Sequence, residues 1–339
     1  LSNLADRVAS RVIKTGRSIE LEPMSARERR IVHISLADQK GIQTESSGEG
    51  KDRRVVIKPS QQIYRICMLP DYLVIGHITR DTFNGKVTTG GCAYYGAVTA
   101  RKLGLSAAMV TSCPNDFGFP KDLEDVEITI IPSMDVTAFI NDYVTGNGLS
   151  NRQQTIISTA KNITISDIPY AWRSAPFVHF GPLVNELGCD VVQGFPDSFK
   201  VASIQGWTRK WDSQGNVSIT QWDGSDILPF VDVAVCSKED IYSEQHIDKW
   251  KNMVPLLVVT NGQKGARLYF AGKYIDVDSV NTKEVDPTGA GDVFAASFIA
   301  KYREICDYEI AARFASWVAA SSVGGYGASM VPSIDCNGS

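Results

Sequence analysis

The sequence predicts an α/β protein, with a three-layer α/β/α fold and a mostly parallel central sheet, preceded by a small α+β domain. Short apolar strands alternate with helical segments from about residue 70 onward, as in a parallel sheet covered on both faces. The 339 residues are 43% hydrophobic, which is enough for one large domain and one smaller one. The net charge of the chain is −4, yet residues 1–60 hold twelve Lys/Arg against eight Asp/Glu. This uneven charge indicates two regions with different functions.

The small domain is predicted over residues 1–59. Apolar residues from Leu4 to Ile13 form one face of a helix, and Gly16 is well suited to end it. A second helix begins at Ser25, because Glu28 follows it at capping-box spacing. Two helices and a strand make a compact module of about sixty residues.

After these helices, the polar stretch Gly41–Gly50 is predicted to be a loop, and Arg53–Lys58 a strand closed by Pro59. Together with the spacing of Arg29 and His33, these segments resemble the R-three-H domain of bacterial Jag-type proteins. The resemblance implies single-stranded RNA or DNA binding through Arg29 and His33, with an affinity that falls as salt rises. Taken alone, the two residues also fit a solvated helix face. Jag-type proteins usually carry a KH domain upstream, and this sequence, which does not start with Met, leaves open whether it is a fragment.

A linker is predicted at residues 60–70, followed by a second domain over residues 71–335. Helical stretches at Ala93–Leu103 and Phe294–Tyr302 lie between its apolar strands. Ligands of such sheets bind beyond the carboxyl ends of the strands. The predicted strands are Tyr72–Gly76, Ala107–Thr111, Phe177–Gly181, Lys200–Ile204, Val231–Cys236 and Leu256–Thr260.

Several familiar chemistries have no motif in the sequence. There is no Walker phosphate loop, no G-x-G-x-x-G after a strand, no H-E-x-x-H and no G-x-S-x-G. The four histidines are far apart in sequence, which disfavours a metal or triad enzyme. Seven dispersed cysteines without C-x-x-C predict a reduced, cytoplasmic protein, and no apolar run has the length of a membrane span.

The strongest signal is the segment EVDPTGAGDVFAASFIA near the C-terminus. It predicts a strand that leads to Asp286, a sharp turn, and a helix opened by Gly289, Ala290 and Gly291. Small residues and the unpaired amides of a helix N-terminus favour the binding of phosphate. Asp292 is placed beside that anion site, where a carboxylate can accept the proton of an attacking hydroxyl. The alternative is an ordinary first-turn acid that stabilises the helix.

A second glycine motif, TTGGCAYYGAVTARKLG, contains Gly90 and Gly91 and is preceded by Asp81. The two motifs, at opposite ends of the second domain, resemble those of the ribokinase or PfkB family of small-molecule kinases over roughly residues 70–333. The resemblance implies a ribokinase-like fold with a small β lid. It also implies an enzyme that transfers the γ-phosphate of ATP to an alcohol, with Mg²⁺ held largely by phosphates and water.

The resemblance also implies roles for individual residues. Asp292 matches the catalytic base, and the amides of Gly289, Ala290 and Gly291 match the anion hole. The other matching positions are Asp81, Gly90 and Gly91 for the acceptor, Thr260, Gly262, Gly265 and Ser237 for the nucleotide, and Asp286 for a monovalent cation such as K⁺.

Three departures from the family pattern concern the substrate and the metal. Tyr95 replaces the usual Asn after the paired glycines, which reshapes the acceptor pocket. The N-x-x-E segment reads S-K-E-D, so that either Asp240 or Glu239 would act on Mg²⁺ indirectly. The D-x-N-x-R segment keeps only Arg209, as an acceptor contact, and has Gln205 in place of the Asp. This set resembles the inositol-kinase-like branch, and a cyclitol, a sugar and a nucleoside all stay open as acceptors.

The lid is predicted from Thr82–Thr88 and Val136–Val144, two polar, alternating strands that are otherwise ordinary edge strands. A homodimer formed through the lid is a further prediction. The leading hypothesis is therefore an ATP-dependent kinase of a small polyol with an appended nucleic-acid-binding module. The alternatives are a nucleic-acid-binding regulator that senses a metabolite through a kinase-like domain, and a fortuitous fusion of two unrelated proteins.

Overall fold

The structure is a computed structural model, and it describes residues 2–15, 18–37, 39, 41–59, 69–83, 85–146 and 149–333. The chain divides into two compact units, Leu1–Leu69 and Pro70–Ser339. Most of the linker predicted at residues 60–70 lies outside the described residues. No helix among those residues is long and apolar enough to cross a membrane.

The first unit is α+β, as predicted. Its sheet is antiparallel, in the order β1-β3-β2. The predicted capping box is confirmed, since the Ser25 amide donates to Glu28 Oε2 at 2.8 Å and the Ser25 hydroxyl accepts from the Glu28 amide. The elements are α1 (Ser2–Thr15), β1 (Ile19–Glu20), α2 (Ala26–Ser35), β2 (Ile42–Ser47) and β3 (Arg54–Pro59).

The prediction of a loop over Gly41–Gly50 was wrong, because most of this stretch forms β2. The strand pairs with β3 over its whole length, from Ile42 opposite Pro59 to Ser47 opposite Arg54. Only Ile42 is buried, and most of the other side chains are polar and face solvent. A polar edge strand has no hydrophobic alternation of its own, so cross-strand pairing decides its structure.

The second unit has the predicted α/β/α architecture. Its elements are β4 (Tyr72–Ile75), β5 (Thr79–Phe83), β6 (Lys86–Gly90), α3 (Cys92–Lys102), β7 (Ala107–Cys113), β8 (Glu127–Pro132), β9 (Thr137–Gly146), β10 (Leu149–Ser158), β11 (Phe177–Phe180), α4 (Cys189–Gln193), β12 (Phe199–Ser203), β13 (Arg209–Trp211), β14 (Val217–Ile219), β15 (Val233–Ser237), α5 (Glu244–Trp250), β16 (Leu256–Thr260), β17 (Ala266–Phe270), β18 (Lys273–Val277), α6 (Ala290–Ile305) and α7 (Tyr308–Ser322). The central sheet has nine strands in the order β18-β17-β16-β15-β12-β11-β4-β7-β8. It is parallel except at β16-β17-β18.

Both faces of the central sheet are buried, as β4 illustrates. Tyr72 and Val74 pack into the core that contains α3, α6 and α7, whereas Leu73 and Ile75 pack into the opposite core, with α4 and α5. A strand buried on both faces reads as a continuous apolar run. All six predicted apolar strands are therefore confirmed, with ends that differ by up to two residues.

The lid is a separate four-stranded sheet in the order β10-β9-β5-β6. The prediction of one strand over Thr82–Thr88 was wrong, because β5 ends at Phe83 and β6 begins at Lys86; the two strands pair as an antiparallel hairpin, and Gly85 has a φ of +73°. The predicted Val136–Val144 corresponds to β9, and β10 was not predicted.

The predicted strand before Asp286 was also wrong. β18 ends at Val277, and residues 278–289 have no regular secondary structure. The segment is held instead by the end of α7, because the amides of Val285 and Asp286 both donate to the Val323 carbonyl, at 2.8 and 3.2 Å. Its backbone hydrogen bonds thus come from a helix terminus rather than from a sheet.

Candidate active site

A large cleft opens at the carboxyl ends of the parallel strands. Ser203, Ser237 and Thr260, at the ends of β12, β15 and β16, lie in its wall, and Phe139 of the lid sheet faces them. Its volume is about 360 Å³, a size suited to a small molecule. The predicted residues found in this wall are Asp81, Gly91, Tyr95, Arg209, Ser237, Glu239, Asp240, Thr260, Gly262, Gly265, Gly289, Ala290, Gly291 and Asp292.

The turn before α6 is shaped by Gly289. This residue caps α6 with a φ of +79°, in the left-handed region that glycine adopts readily. A Cβ at this position would overlap with the Tyr95 ring, so the ring and the turn lie in direct contact. The Ala290 amide donates to the Pro287 carbonyl at 3.2 Å and is used within the turn. The space in front of Gly291 is open, since a Cβ there would meet no atom within 4 Å.

Asp286 holds this turn from behind and is not part of the cleft wall. Its Oδ1 accepts from the Thr288 amide at 3.0 Å, and its Oδ2 accepts from the Gly327 amide at 3.5 Å. The carboxylate therefore joins the glycine-rich turn to the segment after α7. The monovalent-cation site predicted beside Asp286 stays a prediction.

Asp292 lies in the first turn of α6, half-buried and in the wall of the cleft. The positive end of the helix dipole stabilises a carboxylate at this position. Behind it lie Cys92, the first residue of α3, and His179 of β11; one ligand atom from each of the three residues lies within 4.8 Å of the others. Burial, followed by the charge of Asp292, raises the pKa of the Cys92 thiol well above its usual value. The thiol is therefore protonated at neutral pH.

His179 is the centre of a buried polar layer beneath the cleft. Its Nδ1 lies 2.6 Å from the Tyr72 hydroxyl, and its Nε2 lies 2.9 Å from Ser203 Oγ and 3.6 Å from Cys92 Sγ. Burial lowers the pKa of His179 to about 3, so the imidazole is neutral at physiological pH. A neutral ring can orient the groups around it without adding charge to the site.

This burial predicts a pH dependence of stability. The pKa of His179 is about 3 in the folded protein and 6.5 in the unfolded chain, so below pH 6.5 the unfolded state binds the additional proton. Stability should then fall by about 1.4 kcal/mol for each pH unit below 6.5, down to pH 3. Denaturant unfolding at pH 7 and pH 5 measures this loss, which His179→Gln should reduce. His246→Gln is the matched control for loss of an imidazole, and equal losses in wild type and His179→Gln would contradict the assignment.

At the lid end of the cleft, the paired glycines allow close approach of the chain to Asp81. A Cβ on Gly90 would overlap with the Asp81 carboxylate and would lie 2.9 Å from Thr79 Oγ1, so Gly90 lies behind that carboxylate and not in the wall. Gly91 has a φ of +90°, and a Cβ there would overlap with the His77 carbonyl. Glycine is therefore required at both positions, at Gly90 by the Asp81 carboxylate and at Gly91 by the backbone conformation and the His77 carbonyl.

Tyr95 lies between the lid end and the glycine-rich turn. Its ring is buried, with an edge-on contact to Tyr94 at 5.1 Å between centroids, and Tyr94 in turn donates to Asp122 at 2.6 Å. Burial, with the nearby carboxylates of Asp286 and Asp81, raises the pKa of Tyr95 far above its usual value. The hydroxyl of Tyr95 thus stays protonated, where the family pattern has an amide.

The structure distinguishes the two candidate metal-side acids. Both oxygens of Asp240 are used within the protein, one by the Ser237 amide at 2.9 Å and the other by the Gln205 side-chain amide at 3.1 Å. Asp240 is also buried, whereas Glu239 is exposed in the cleft wall. Glu239 therefore has the more accessible carboxylate of the two, and Gln205 has a local role in orienting Asp240; the metal role of either acid stays a prediction. Arg209 is a buried residue of the wall at the start of β13.

The other end of the cleft is built from the end of β16 and the turn after it. Thr260 Oγ1 donates to the Cys236 carbonyl at 3.3 Å, and Gly265 has a φ of +84° in a turn closed by a hydrogen bond from the Asn261 amide to the Gly265 carbonyl at 2.8 Å. Gly262 faces open space. Further wall residues at this end, not predicted from the sequence, are Ser279, Val280, Thr282, Ser316, Ala319, Ala320 and Val323.

In the first unit, both predicted nucleic-acid-binding residues are half-buried on α2. Arg29 donates to the Met24 carbonyl at 2.7 Å. His33 joins α2 to β2, with Nδ1 2.7 Å from Thr44 Oγ1 and Nε2 3.0 Å from Ser46 Oγ. The two side chains therefore also stabilise the unit itself.

Comparison with known families assigns both units. Residues 1–59 match the R-three-H domain, and residues 223–334 match the pfkB family carbohydrate kinases. The chain joins an R-three-H domain to a pfkB-family kinase domain. Both matches agree with the resemblances drawn from the sequence motifs, and the second includes the turn before α6.

Two relatives cover different parts of the chain. The RNA-binding protein KhpB of Bacillus subtilis is 48% identical over 59 residues, 17% of this chain and 28% of that protein. Inositol 3-kinase of Arabidopsis thaliana is 26% identical over 248 residues, 67% of this chain and 66% of that enzyme. The chain thus spans less than two thirds of either relative.

The fold of the kinase domain is also found in solved structures. A pyrophosphate-dependent kinase of the ribokinase family, complexed with a pyrophosphate analog and myo-inositol, superimposes with a TM-score of 0.64 at 22% identity. The match covers 74% of this chain and 94% of the other. The ribokinase-like fold predicted from the sequence is therefore confirmed.

Proposed function

We propose that the kinase domain transfers a phosphoryl group from ATP to a hydroxyl of a small polyol. The observation that carries the proposal is the position of Asp292, in the first turn of α6 and in the wall of a cleft that also contains Asp81 and Arg209. A base beside a helix N-terminus is placed to act on the attacking hydroxyl while the helix stabilises the transferring group.

In this proposal, the carboxylate of Asp292 takes the proton of the acceptor hydroxyl as its oxygen attacks the terminal phosphorus. The new O–P bond forms as the bond to the leaving phosphate breaks, and the nucleoside diphosphate keeps that electron pair. Backbone amides of the turn at Gly289 and Gly291 stabilise the charge on the transferring group. The lid residues Phe139 and Gln154, in the same wall, would exclude water from the acceptor end.

The cleft is acidic, and this supports a requirement for Mg²⁺. Its described wall contains one guanidinium, that of Arg209, and five carboxylates, those of Asp81, Glu239, Asp240, Glu284 and Asp292. An anionic donor would be repelled there without a divalent cation, and Mg²⁺ bound to the phosphates supplies that screening. Carboxylate oxygens suit this ion, and exposed Glu239 would meet its water ligands. K⁺ beside Asp286 is a further part of the proposal.

The shape of the donor end favours ATP over a smaller donor. Ser316, Ala319, Ala320 and Val323 form a wall of small, mostly apolar side chains beyond the glycine-rich turn, a surface against which a flat purine can pack. Pyrophosphate would leave this part of the cleft empty. The structural relative that uses pyrophosphate makes that donor the second candidate.

The acceptor is proposed to be a cyclitol, a sugar or a nucleoside. Asp81 can accept hydrogen bonds from two neighbouring hydroxyls of the acceptor. The Tyr95 hydroxyl has one hydrogen to donate, whereas the side-chain amide of the usual Asn has two.

The identity of the acceptor is tested by incubating the full chain and Mg²⁺ with each phosphoryl donor and a panel of cyclitols, sugars and nucleosides. We expect acceptor-dependent ADP formation with ATP and none with pyrophosphate. No donor consumption with any acceptor would contradict the proposal.

We also propose that the R-three-H domain binds single-stranded RNA or DNA. Its excess of positive charge suits phosphate, and Arg27 and Arg30 are exposed on α2, the helix that carries Arg29 and His33. A homodimer through the lid, and a role as a metabolite-sensing regulator, stay predictions. The regulator is tested by measuring nucleic-acid affinity with and without the kinase substrates, and the homodimer by sedimentation of the full chain.

Replacing both motif residues, Arg29→Ala with His33→Ala, should weaken single-stranded nucleic-acid binding and leave phosphoryl transfer unchanged. Because both side chains also stabilise the unit, thermal unfolding is recorded in parallel. Arg30→Ala removes an exposed cation that does not stabilise the unit in this way. It should reduce the slope of log affinity against log salt by about 1, the value for one phosphate contact. Lys273→Ala, an exposed cation of the kinase domain, is the control. Unchanged binding by a folded double variant would remove this module from the function.

A further inference from the structure

Three potential metal ligands, Cys92, His179 and Asp292, lie together beneath the cleft. Two of them, Cys92 and His179, have no role assigned from the sequence motifs or in the proposed reaction. Cys92 and His179 are fully buried, and Asp292 is half-buried. Cys92 Sγ lies 3.6 Å from His179 Nε2, and one carboxylate oxygen of Asp292 lies within 4.8 Å of both. In a tetrahedral zinc site, with Zn–S near 2.3 Å and Zn–N near 2.0 Å, the sulfur and nitrogen are about 3.5 Å apart. The Sγ–Nε2 distance matches that value, but Sγ also lies 3.9 Å from Nδ1, beside the ring, so the Cys92 side chain must rotate to bring the sulfur to the Nε2 side when an ion binds.

The surroundings of the three ligands fit a metal site as well. The Tyr72 hydroxyl lies 2.6 Å from His179 Nδ1, so it can accept a hydrogen bond from Nδ1–H and leave a lone pair on Nε2. That lone pair accepts from the Ser203 hydroxyl at 2.9 Å, and a bound Zn²⁺ would take the place of this hydrogen bond. Ser203 Oγ, 2.9 Å from Nε2 and in the cleft wall, is close enough to provide a fourth oxygen. Gly181 leaves room for Cys92, because a Cβ there would overlap with the sulfur.

The donor set selects the class of ion. A thiolate and an imidazole favour borderline-soft cations such as Zn²⁺ and Co²⁺ over Mg²⁺, which prefers oxygen ligands. One thiolate and one carboxylate also balance a dication, so the occupied site would have no net charge. This balance matters at a site where two ligands are excluded from solvent.

We propose that Cys92 Sγ, His179 Nε2 and the Asp292 carboxylate form a binding site for a single Zn²⁺ ion. The ion enters from the cleft, whose wall contains Asp292 and Ser203. Cys92 loses its thiol proton to solvent as the Zn–S bond forms, so binding strengthens as pH rises. No oxidant or reductant is involved.

The consequence of occupancy rests on the proposed function. A carboxylate that coordinates Zn²⁺ can no longer accept the proton of an acceptor hydroxyl, so the ion would be an inhibitor that acts on the base itself. Mg²⁺ would not compete for this site, because its ligand preference differs. The site would make the kinase sensitive to free zinc while Mg²⁺ supports turnover.

The binding test uses Co²⁺ as a spectroscopic probe and Zn²⁺ as competitor, on the full chain without nucleotide. We expect a thiolate-to-cobalt charge-transfer band that Zn²⁺ abolishes at one equivalent. Cys92→Ser should lose the band and weaken Zn²⁺ binding by more than about 100-fold. Tyr72→Phe removes only the hydroxyl that hydrogen-bonds His179 Nδ1, and it should weaken Zn²⁺ binding by about 10- to 100-fold. Cys189→Ser, at an exposed cysteine, is the matched control and should bind as wild type does.

A second readout is inhibition of phosphoryl transfer by Zn²⁺ at saturating Mg²⁺, with each variant compared with its own rate in the absence of Zn²⁺. Wild type and Cys189→Ser should be inhibited in parallel with occupancy, and Cys92→Ser should resist. A charge-transfer band that persists in folded Cys92→Ser, or that is absent in wild type, would overturn the proposed site. If no variant turns over, the kinase proposal fails, while the cobalt spectrum still decides the metal site.

Discussion

The Asp292→Asn variant is expected to lose at least ~100-fold in turnover while it still binds donor and acceptor. Asn is nearly the same size and can still accept a hydrogen bond, but it cannot take the proton of the acceptor hydroxyl; general-base catalysis typically contributes 10²- to 10⁴-fold. Steady-state kinetics of the full chain measures the effect, which should appear in kcat and not in KM. Asp292 is half-buried in the cleft wall, where an acceptor can reach it.

The competing interpretation is that Asp292 only stabilises the N-terminus of α6, an effect of about 0.3 to 1 kcal/mol. Glu309→Gln is the matched control, because Glu309 is a first-turn acid of the adjacent helix α7 and pairs there with Arg313 at 2.8 Å. This control should keep its turnover. Near-normal phosphorylation by Asp292→Asn would show that the residue is structural and would overturn its assignment as the base.

Gly289→Ala should produce the second large effect, on stability and turnover together. The residue has a φ of +79°, which costs a residue with a side chain roughly 1–2 kcal/mol. The new methyl group would also overlap with the Tyr95 ring, and overpacking of this kind costs about 1–3 kcal/mol. We expect a lower Tm and, because the amides of the turn shift, a turnover lowered by about 100-fold.

Gly291→Ala is the control for stability, because Gly291 is two residues away and a Cβ there would meet no atom within 4 Å. Its Tm should stay close to that of wild type. In a double-mutant cycle, Gly289→Ala should cost less stability in the Tyr95→Ala background than in wild type, since the obstructing ring is gone. If Gly289→Ala melts with wild type, the contact between the turn and Tyr95 does not shape the site.

The parts of the fold that the sequence predicted are those with a local cause. The strand Leu256–Thr260 is apolar throughout because both faces are buried, and α2 begins at Ser25 because of its capping box. The strands β2 and β10 were missed because they are mostly polar and depend on pairing with β3 and β9. Pairing between distant segments leaves little trace in single-residue preferences.

The same distinction applies to the candidate site. The motif residues of the two glycine segments could be named from the sequence, and the structure brings most of them into one wall. The contact of Tyr95 with Gly289 could not be predicted, because the two are far apart in the chain. The different accessibility of Glu239 and Asp240 could not be predicted either, because it follows from the hydrogen bonds that Ser237 and Gln205 make to Asp240. Clustering of this kind results from tertiary packing alone.

The wall of the donor end shows a further limit of sequence reasoning. Ala319, Ala320 and Val323 come from α7 and its C-terminal end, and the sequence of this helix reads as an ordinary buried helix. Their use as a cleft wall follows from where the helix ends relative to β16. Small side chains in a core helix gave no signal of a binding role.

The most direct measurement of the central claim is ³¹P NMR of wild type and Asp292→Asn with MgATP and the panel of polyols. We predict that wild type gives a new phosphate-ester resonance with at least one acceptor, with ADP formed in equal amount, and that the variant gives none on the same time scale. Formation of ADP and inorganic phosphate without an ester, or an ester formed equally fast by Asp292→Asn, would contradict a kinase whose base is Asp292.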